Sequence, residues 1–559
     1  MNLLNHKKIF FISLMILLLA VPVMGQEINK PYETKAPKIE VLTTTASHSM
    51  ARYEMGRIIV DAWRKLGLDT ELNPMDYKAG VQRTYKEKNF DTYIIHHAAT
   101  PVRIDPDIFM YGDLHSSTAG KEGRNLDGWI NKEYDALMDA SRRELNMEKR
   151  KQIIWKAQKI LFDHQPENIL INDDLFFGYN YKNFKNPIIS IGNPITEIWS
   201  NLSFTPVGKR KVLKVGYPND AKKMNPVGIE ESPDYRYMSH IYDSLIRIGP
   251  EGEVKNWAAK EIKPISDTVV DVVMRKNMHF HDGKPVTVED VKFTFDYLKK
   301  WKSPFFLTYI RPIKEVKIMS DDVVRFELEY PLAPFIYNTL GQVLILPKHI
   351  WKDVPEKVGI SDPAFWENPK PIGSGPFKFD YWKRGEALKL VKNSAHFHPP
   401  KVEGIIWVFY GSNDTVVGAA EKGEIDVTGF YIEKHLAERL LQTGVIKIPE
   451  STNFGFYTIH YNTRKPPFND MHFRRALSFA IPRTQIKDVV YGGKGKLVGS
   501  IIAPANKFWN NPNLLPFSED INLAKKELKE AGYTWDKDGK LCYPRKENDQ
   551  RTFDSGPGL

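Results

Sequence analysis

Residues 274–300, MRKNMHFHDGKPVTVEDVKFTFDYLKK, contain the local signals of a strand, a tight turn and a capped helix. The β-branched run TVVDVVM at 268–274 leads into this stretch and predicts the strand. Asp282-Gly283 predicts the turn. Thr287, followed three residues later by Asp290, predicts the capped start of a helix that continues to the end of the stretch. A strand and a helix joined so closely are expected to share one core.

The same alternation of strands and helices continues on both sides of this stretch. Runs of β-branched or alternating residues predict strands, and apolar residues at helical spacing predict helices. The predicted strands are at 38–45, 68–72, 213–217 and 268–274, and the predicted helices are at 50–66, 147–163, 472–480 and 519–531. Gly67 and Gly532 follow two of these helices, as expected for C-terminal caps. The pattern is typical of an α/β architecture, with helices packed on a sheet.

The first 25 residues have the composition of a secretory signal peptide. Lys7 and Lys8 precede a nearly unbroken apolar run over 9–23, and cleavage is expected before Gln26. An uncleaved membrane anchor is the alternative, but the run is shorter than the roughly 20 residues that a span needs. No cysteine stands at the end of the run, so lipid attachment is not expected. Residues 26–37 have the composition of a linker, and the sequence predicts export to the periplasm.

Composition limits the classes of function. The net charge is +10, but lysine and arginine are interleaved with aspartate and glutamate, which indicates a solvated surface and not a nucleic-acid interface. Cys542 is the single cysteine, so no internal disulfide forms and stability must come from core burial. Residues 546–559 lack periodicity and predict a disordered tail.

Motifs with a recognisable chemistry are absent from the sequence. There is no phosphate-binding GxxxxGK[ST] loop, no HExxH zinc motif, no GxSxG elbow and no paired CxxC. The pairs His279/His281 and His396/His398 have a spacing that places two imidazoles on one face of a strand. Neither pair has neighbouring residues that complete a ligand set. The sequence predicts no metal site, no cofactor and no enzymatic activity.

Several stretches resemble, in the same order, segments of the family 5 extracytoplasmic solute-binding proteins, which include the oligopeptide- and dipeptide-binding proteins. The matching stretches are 274–300, 371–397, 423–427, 456–483 and 521–540. The resemblance implies the two-lobed type II periplasmic binding protein fold, an α/β fold with mixed sheets flanked by helices. It also implies a hinge between the lobes and a ligand that is enclosed without covalent chemistry.

Stretches that resemble the later part of the family stand at the front of this chain, at 38–77, 89–109 and 125–161. We interpret this order as a circular permutation, because the two pieces together make up one set of family segments. A partial duplication would need a second copy of 38–205, and the sequence has none. A broken or misassembled gene is the remaining alternative, and it would leave half of a lobe without its partner strands.

The resemblance implies a domain order in which lobe two is assembled from both parts of the chain. The expected units are lobe two at 38–169 and 456–545, a return into lobe one at 170–205, and lobe one at 206–455.

The resemblance also implies that three stretches line the ligand cleft. They contribute Glu230, Ser232 and Tyr235 from lobe one; Phe454, Gly455 and His460 where the chain crosses between the lobes; and His96, His97 and Val102 from lobe two. An acidic surface loop, a core strand and a buried strand end are the respective structural alternatives. His96 and His97 are adjacent, so on a strand they point to opposite faces.

The chain departs from the peptide-binding pattern at the amino-group anchor. Peptide-binding members carry a tryptophan and, three residues later, an aspartate that pairs with the amino group of the peptide. Counted back from Asp105, these places hold Ala99 and Val102. A buried ammonium needs a carboxylate partner. Glu230 or Asp105 in that role is a conjecture, and the ligand class stays open.

The leading hypothesis is a monomeric periplasmic protein that captures a small ligand, such as an oligopeptide, for the permease subunits of an ABC importer at the inner membrane. An exported sensor or chaperone-like module with the same fold is the alternative. An exported hydrolase has no readable nucleophile and base, and a non-functional gene product is the last possibility.

Overall fold

The computed structural model describes residues 35–97, 103–121, 123–229, 232–303, 305–449 and 453–544. The expected signal peptide, most of the expected linker and the expected tail lie outside the described residues. Within the described ranges, no helix combines the length and the apolar character that a membrane crossing requires.

The strands have the following bounds: β1 Ile39–Thr44, β2 Thr70–Met75, β3 Thr92–His97, β4 Glu167–Ile171, β5 Tyr179–Asn180, β6 Phe184–Lys185, β7 Thr205–Pro206, β8 Val212–Tyr217, β9 Ile246–Ile248, β10 Val254–Asn256, β11 Ala259–Ser266, β12 Val269–Met274, β13 Ile313–Ser320, β14 Val323–Leu328, β15 Phe377–Lys383, β16 Ala387–Lys392, β17 Gly404–Phe409, β18 Val427–Thr428, β19 Ile446–Lys447, β20 Phe456–Tyr461, β21 Thr534–Trp535 and β22 Leu541–Cys542.

The α-helices have the following bounds: α1 Met50–Arg64, α2 Tyr77–Val81, α3 Gly112–Leu114, α4 Lys132–Arg143, α5 Met147–His164, α6 Ile198–Ser203, α7 Ser232–Ile241, α8 Val288–Lys300, α9 Leu307–Ile310, α10 Lys348–Trp351, α11 Val354–Val358, α12 Asn413–Glu421, α13 Lys434–Leu441, α14 Met471–Ala480, α15 Arg483–Tyr491 and α16 Ile521–Glu530. Short π-helical turns occupy Gln82–Lys86, Asp107–Tyr111 and Phe335–Leu340, and 3₁₀ turns occupy Ser116–Thr118 and Pro363–Phe365.

The strand, turn and helix predicted around residues 274–300 are confirmed. Gly283 in the turn has a φ of 88°, a backbone conformation that glycine adopts without strain. Thr287 and Asp290 form a reciprocal capping box at the start of α8. The predicted strand at 68–72 begins later than expected, at Thr70. Gly67 and the two residues after it reverse the chain, and Thr70 is the first residue opposite β1, where it faces Ile39.

Lobe one contains a mixed seven-stranded sheet and an antiparallel four-stranded sheet. The strand orders are β15-β16-β17-β8-β18-β5-β19 and β11-β12-β14-β13. A single large apolar cluster joins the two sheets and includes Val215 of β8, Val272 of β12 and Val427 of β18. The loss of this common core would expose both sheets at once, so lobe one is expected to fold as one unit.

Lobe two is built on a mixed five-stranded sheet with the strand order β2-β1-β3-β20-β4. β1 runs parallel to β2 and β3, whereas β20 runs antiparallel to both of its neighbours, β3 and β4. Helices α1, α14, α15 and α16 cover one face of the sheet, and α4 and α5 cover the other. The expected α/β fold with two lobes and mixed sheets flanked by helices is confirmed.

Residues 35–36 lie directly against the strand at Leu541–Cys542. The Ala36 backbone N–H donates to the carbonyl oxygen of Leu541 at 2.8 Å. The Lys35 ammonium pairs with the Asp536 carboxylate at 2.9 Å. Two distant parts of the sequence are therefore neighbours at the surface of lobe two.

A buried ion pair fixes the segment that precedes the π-helical turn at Asp107. Two nitrogens of the Arg150 guanidinium donate to the two carboxylate oxygens of Asp105, at 2.7 and 2.8 Å. The third nitrogen, Nε, donates to the carbonyl oxygen of Ser141 at 2.9 Å. Both charged side chains are almost completely shielded from solvent. Asp105 is therefore committed to Arg150, which removes it as a substitute anchor for a ligand amino group.

We expect Asp105→Asn to lower the free energy of unfolding by about 3–5 kcal/mol, because it leaves the Arg150 charge buried without a carboxylate. Asp296→Asn is the matched control, since Asp296 pairs with Lys292 at 2.8 Å but is 53% exposed. The control should change stability by about 1 kcal/mol or less. Urea unfolding, followed by tryptophan fluorescence, measures the free energy of unfolding of both variants. Equal losses of stability in the two variants would contradict the assignment of Asp105 and Arg150 as a buried ion pair of the fold.

Candidate ligand-binding site

The edge of the lobe-two sheet that faces lobe one has the geometry of a ligand site. Because β1 and β3 are parallel, their carboxyl ends meet at the same edge, and α1 begins there after Thr44. Ligands of open α/β sheets bind at the carboxyl ends of the strands. The hydroxyl groups of Thr43 and Thr44 are buried at this edge, and neither has a hydrogen-bond partner among the described residues.

Arg52 is the central charged group of this edge. It lies in the first turn of α1 and is only 6% exposed. Its Nε and Nη1 atoms are buried and have no hydrogen-bond partner among the described residues. Its guanidinium carbon lies 5.8 Å from the centre of the Tyr77 ring. A buried guanidinium without a carboxylate partner costs several kcal/mol, so the fold holds here a cation that a ligand can neutralise.

Tyrosine side chains from both lobes lie near this cation. Tyr431 of lobe one and Tyr457 of lobe two are within electrostatic range of Arg52. Burial raises the pKa of Tyr431 to about 12, although Arg52 opposes the shift. The phenols therefore stay protonated at neutral pH and can donate hydrogen bonds. A cation beside phenol donors suits a carboxylate or a similar anionic group.

His96 connects the tyrosines of the two lobes. Its ring centre lies 4.4 Å from that of Tyr457 and 5.6 Å from that of Tyr431. Its Nε2 atom lies 3.2 Å from the Asp173 carboxylate. Asn453 holds this aspartate in place by donating to its backbone carbonyl oxygen at 2.6 Å. His96 is thus fixed between the lobes, and its contact with a ligand remains a prediction.

Hydrogen bonds to the backbone hold the segment in which the chain crosses between the lobes, and the side chains of this segment point into apolar cores. The Gly455 N–H donates to the side-chain oxygen of Asn453, and the Gly455 carbonyl oxygen accepts from Asn172. Phe454 is buried in a small apolar cluster with Ala503. Phe454 and Gly455 therefore shape the connection between the lobes, and their contact with a ligand remains a prediction.

A second area where the lobes face each other contains Tyr235. Its hydroxyl donates to the Gln342 carbonyl oxygen at 3.0 Å, and its ring stacks on Phe305. Nearby, Tyr309 of lobe one is within electrostatic range of the lobe-two cations Arg103 and Arg124.

The structure does not describe the side chains of the other residues that were expected to line the cleft from lobe one and lobe two. Ser232 is the first residue of α7, and its side chain is not described. Glu230 and Val102 lie outside the described residues.

His97 and His460 lie on the opposite face of the lobe-two sheet, away from Arg52. His460 is buried, and its Nδ1 atom lies 2.9 Å from Asp127. Its Nε2 atom lies 3.6 Å from Glu167. Potential ligand atoms of His97, Glu167 and His460 all lie within 4.8 Å of one another. The expectation of no metal site was based on local spacing, which cannot reveal this cluster.

The histidines of the pairs His279/His281 and His396/His398 take part in structural contacts. His396 Nε2 lies 3.3 Å from the buried Asp243, and His396 Nδ1 accepts from the His398 backbone N–H. His281 Nε2 lies 3.0 Å from the Gly375 carbonyl oxygen. His279 forms an isolated bridge with Pro285.

Arg52, Asp173, Tyr431 and Tyr457 were not named as site residues, although Tyr457 lies within the stretch from Phe454 to His460 that was expected to line the cleft. Arg52 did carry a signal, because it occupies the same face of α1 as the buried Met55, Ile59 and Trp63. An arginine on an apolar helical face needs a partner or a function. The other three gave no local signal, since their proximity depends on the pairing of distant strands.

Comparisons with known proteins show which family this chain resembles. The family model described as bacterial extracellular solute-binding proteins, family 5 Middle, matches residues 253–554. The oligopeptide-binding protein AppA of Bacillus subtilis is 30% identical over 314 residues, which cover 54% of this chain and 56% of that protein. The dipeptide-binding protein of Escherichia coli is 24% identical over 279 residues, which cover 46% of this chain and 51% of that protein.

The chain thus spans about half the length of the curated relatives that it matches. A solved structure of AppA from Bacillus subtilis in complex with a nonapeptide aligns with a TM-score of 0.47 and 26% identity, over 59% of this chain and 67% of that one.

We expect Arg52→Met to raise the free energy of unfolding of the ligand-free protein by about 1 kcal/mol, because it removes an uncompensated buried charge and keeps the apolar stem. Arg150→Met, which breaks the pair with Asp105, should instead lower stability by about 3–5 kcal/mol. Urea unfolding without added solute compares the two. A large loss of stability in Arg52→Met would show that Arg52 has a structural partner and is not reserved for a ligand.

Proposed function

Because the chain belongs to the bacterial extracellular solute-binding proteins of family 5, we propose that it captures a small solute between its two lobes and delivers it to an ABC importer. The proposal includes export to the periplasm, action as a monomer and contact with the permease subunits at the inner membrane. It also includes the absence of covalent chemistry. The amino-acid composition of residues 1–25 supports the export.

The observation that carries the proposal is the buried Arg52, whose Nε and Nη1 atoms have no hydrogen-bond partner among the described residues and which lies near tyrosines of both lobes. A ligand that contacts Arg52 and Tyr457 on one side and Tyr431 on the other would be held by groups that converge only when the lobes are together. Such contacts stabilise the closed form over the open one, which is how a ligand drives hinge closure.

The same observation supports a class of ligand. A carboxylate matches the charge and the donor groups of Arg52 and of the surrounding phenols. A small solute with an accessible carboxylate, including the C-terminal carboxylate of a peptide, is therefore the proposed substrate class. The relatives named for oligopeptides and dipeptides make peptides the first compounds to test.

We expect the binding of short peptides to depend on a free C-terminal carboxylate. Isothermal titration calorimetry compares each peptide with its C-terminal amide, which is uncharged and has nearly the same shape. The amide should bind about 10–100-fold more weakly, and Arg52→Met should lose most of this difference. Arg57→Met is the control, because Arg57 lies on the same helix but is 51% exposed.

Equal affinity of acid and amide for the unmodified protein would contradict the role of Arg52. If no peptide binds, carboxylate-bearing sugars, amino-acid conjugates and metal chelates are screened by ligand-dependent melting temperature. A well-folded protein that responds to none of them would contradict solute binding itself.

We further propose that the chain is a circular permutant within its family. The five-stranded sheet supports this, because β20 pairs on one side with β3 and on the other with β4, and both come from the front of the chain. The adjacency of residues 35–36 and 541–542 also supports it, since permutation requires the joined ends to be neighbours. The domain bounds expected from the sequence are part of this proposal.

A reordered variant tests the permutation. Residues 35–208 are moved behind Pro544 through a short Gly-Ser linker, and the cut falls in the exposed segment around Gly208. We expect a melting temperature within about 3 °C of that of the original order, because every strand pair is retained. A variant that lacks 35–208 is the control and should lose the cooperative unfolding of lobe two. A reordered protein that fails to fold would contradict the proposal.

A further inference from the structure

We propose that lobe two holds a divalent transition-metal ion, with zinc as the best-suited ion, between His97, Glu167 and His460. This site lies on the opposite face of the sheet from the interlobe site. It goes beyond solute binding and does not depend on it. Two histidines and one carboxylate form a ligand set that zinc commonly takes, with a fourth position left for water.

Strand pairing brings the three residues together. In β20, His460 lies opposite Glu167 of β4, and Phe456 lies opposite His97 of β3. Phe456 and His460 are four residues apart on β20, and His97 lies directly opposite Phe456. All three side chains therefore lie on the same face of the sheet. One potential ligand atom from each of His97, Glu167 and His460 lies within 4.8 Å of the other two. Zinc–nitrogen bonds are about 2 Å long, so side-chain adjustments of about 1 Å suffice to close the site.

The two imidazoles leave nitrogen atoms unused inside the protein. The Nε2 atoms of His97 and of His460 are both buried without a hydrogen-bond partner among the described residues. His460 itself is only 3% exposed. A buried polar atom without a partner is costly. One metal ion would provide a partner for both nitrogens.

Asp127 prepares His460 for metal coordination. The Nδ1 atom of His460 lies 2.9 Å from the Asp127 carboxylate, and its Nε2 atom faces Glu167 at 3.6 Å, so Nε2 is the nitrogen available to a metal ion. A carboxylate behind a ligating histidine is the usual second-sphere arrangement of zinc sites. Thr458 similarly orients the Glu167 carboxylate by donating a hydrogen bond at 3.0 Å.

Two carboxylates face the imidazole of His460, with Asp127 at 2.9 Å and Glu167 at 3.6 Å. Either a proton on His460 or a metal ion can balance these negative charges. Only the metal ion would also provide a partner for the Nε2 atom of His97.

The test is equilibrium dialysis of the chelator-treated, full-length protein against zinc sulfate, without any added solute. We expect one tightly bound zinc ion per chain. His97→Ala, His460→Gln and Glu167→Gln should each raise the dissociation constant at least about 100-fold, and Asp127→Asn about 10–100-fold. His435→Ala is the control for surface binding, because its side chain is 68% exposed, and it should leave the affinity unchanged.

Substitution with Co²⁺ gives a second readout. A site with two nitrogens, one oxygen and one water should show the visible absorption of tetrahedral Co²⁺, and His97→Ala should abolish it while the circular dichroism stays native. Zinc binding that survives unchanged in His97→Ala and His460→Gln would overturn the proposal. The absence of stoichiometric zinc binding to the unmodified protein would also overturn it and would leave the cluster as a protonated ion pair. Solute binding is measured separately, so neither result decides the proposed function.

Discussion

The pairing of β20 with both β3 and β4 is the constraint on which lobe two depends. β20 fills the gap between strands that come from the front of the chain, and its hydrogen bonds leave no free edge in the interior of the sheet. Because side chains alternate along a strand, this one register decides two environments at once. Tyr457 points to the side of His96 and the interlobe edge, whereas His460 points to Asp127 and Glu167. A shift by one residue would exchange the two faces.

The two faces of the lobe-two sheet each carry a buried arginine, and the two arginines differ in their hydrogen-bond partners. Arg150 is satisfied completely by Asp105 and the Ser141 carbonyl oxygen, and this contact belongs to the fold. Arg52 is also buried, but two of its nitrogens have no hydrogen-bond partner among the described residues. Proteins retain such unfavourable groups where a function needs them, and the cost is met by favourable packing elsewhere. The comparison of these two arginines, in the same lobe, separates a structural charge from one available to a ligand.

Much of the fold could be predicted from the sequence because the signals are local. The capping box at Thr287, the turn at Gly283 and the amphipathic helices depend on residues within a few positions of one another. The candidate site could be predicted only in part. His96 was identified, but Tyr431, Tyr457 and Asp173 approach it through strand pairings between distant segments. The cluster of His97, Glu167 and His460 was missed for the same reason, since no spacing rule connects residues so far apart in the chain.

The crystal structure of the protein with its tightest carboxylate-bearing solute tests the central claim most directly. The account predicts that the carboxylate lies within hydrogen-bond distance of the Arg52 guanidinium. It also predicts that the solute contacts Tyr457 of lobe two and Tyr431 of lobe one in the same complex. A solute that binds within one lobe alone, or that leaves the Arg52 nitrogens without a partner, would contradict it.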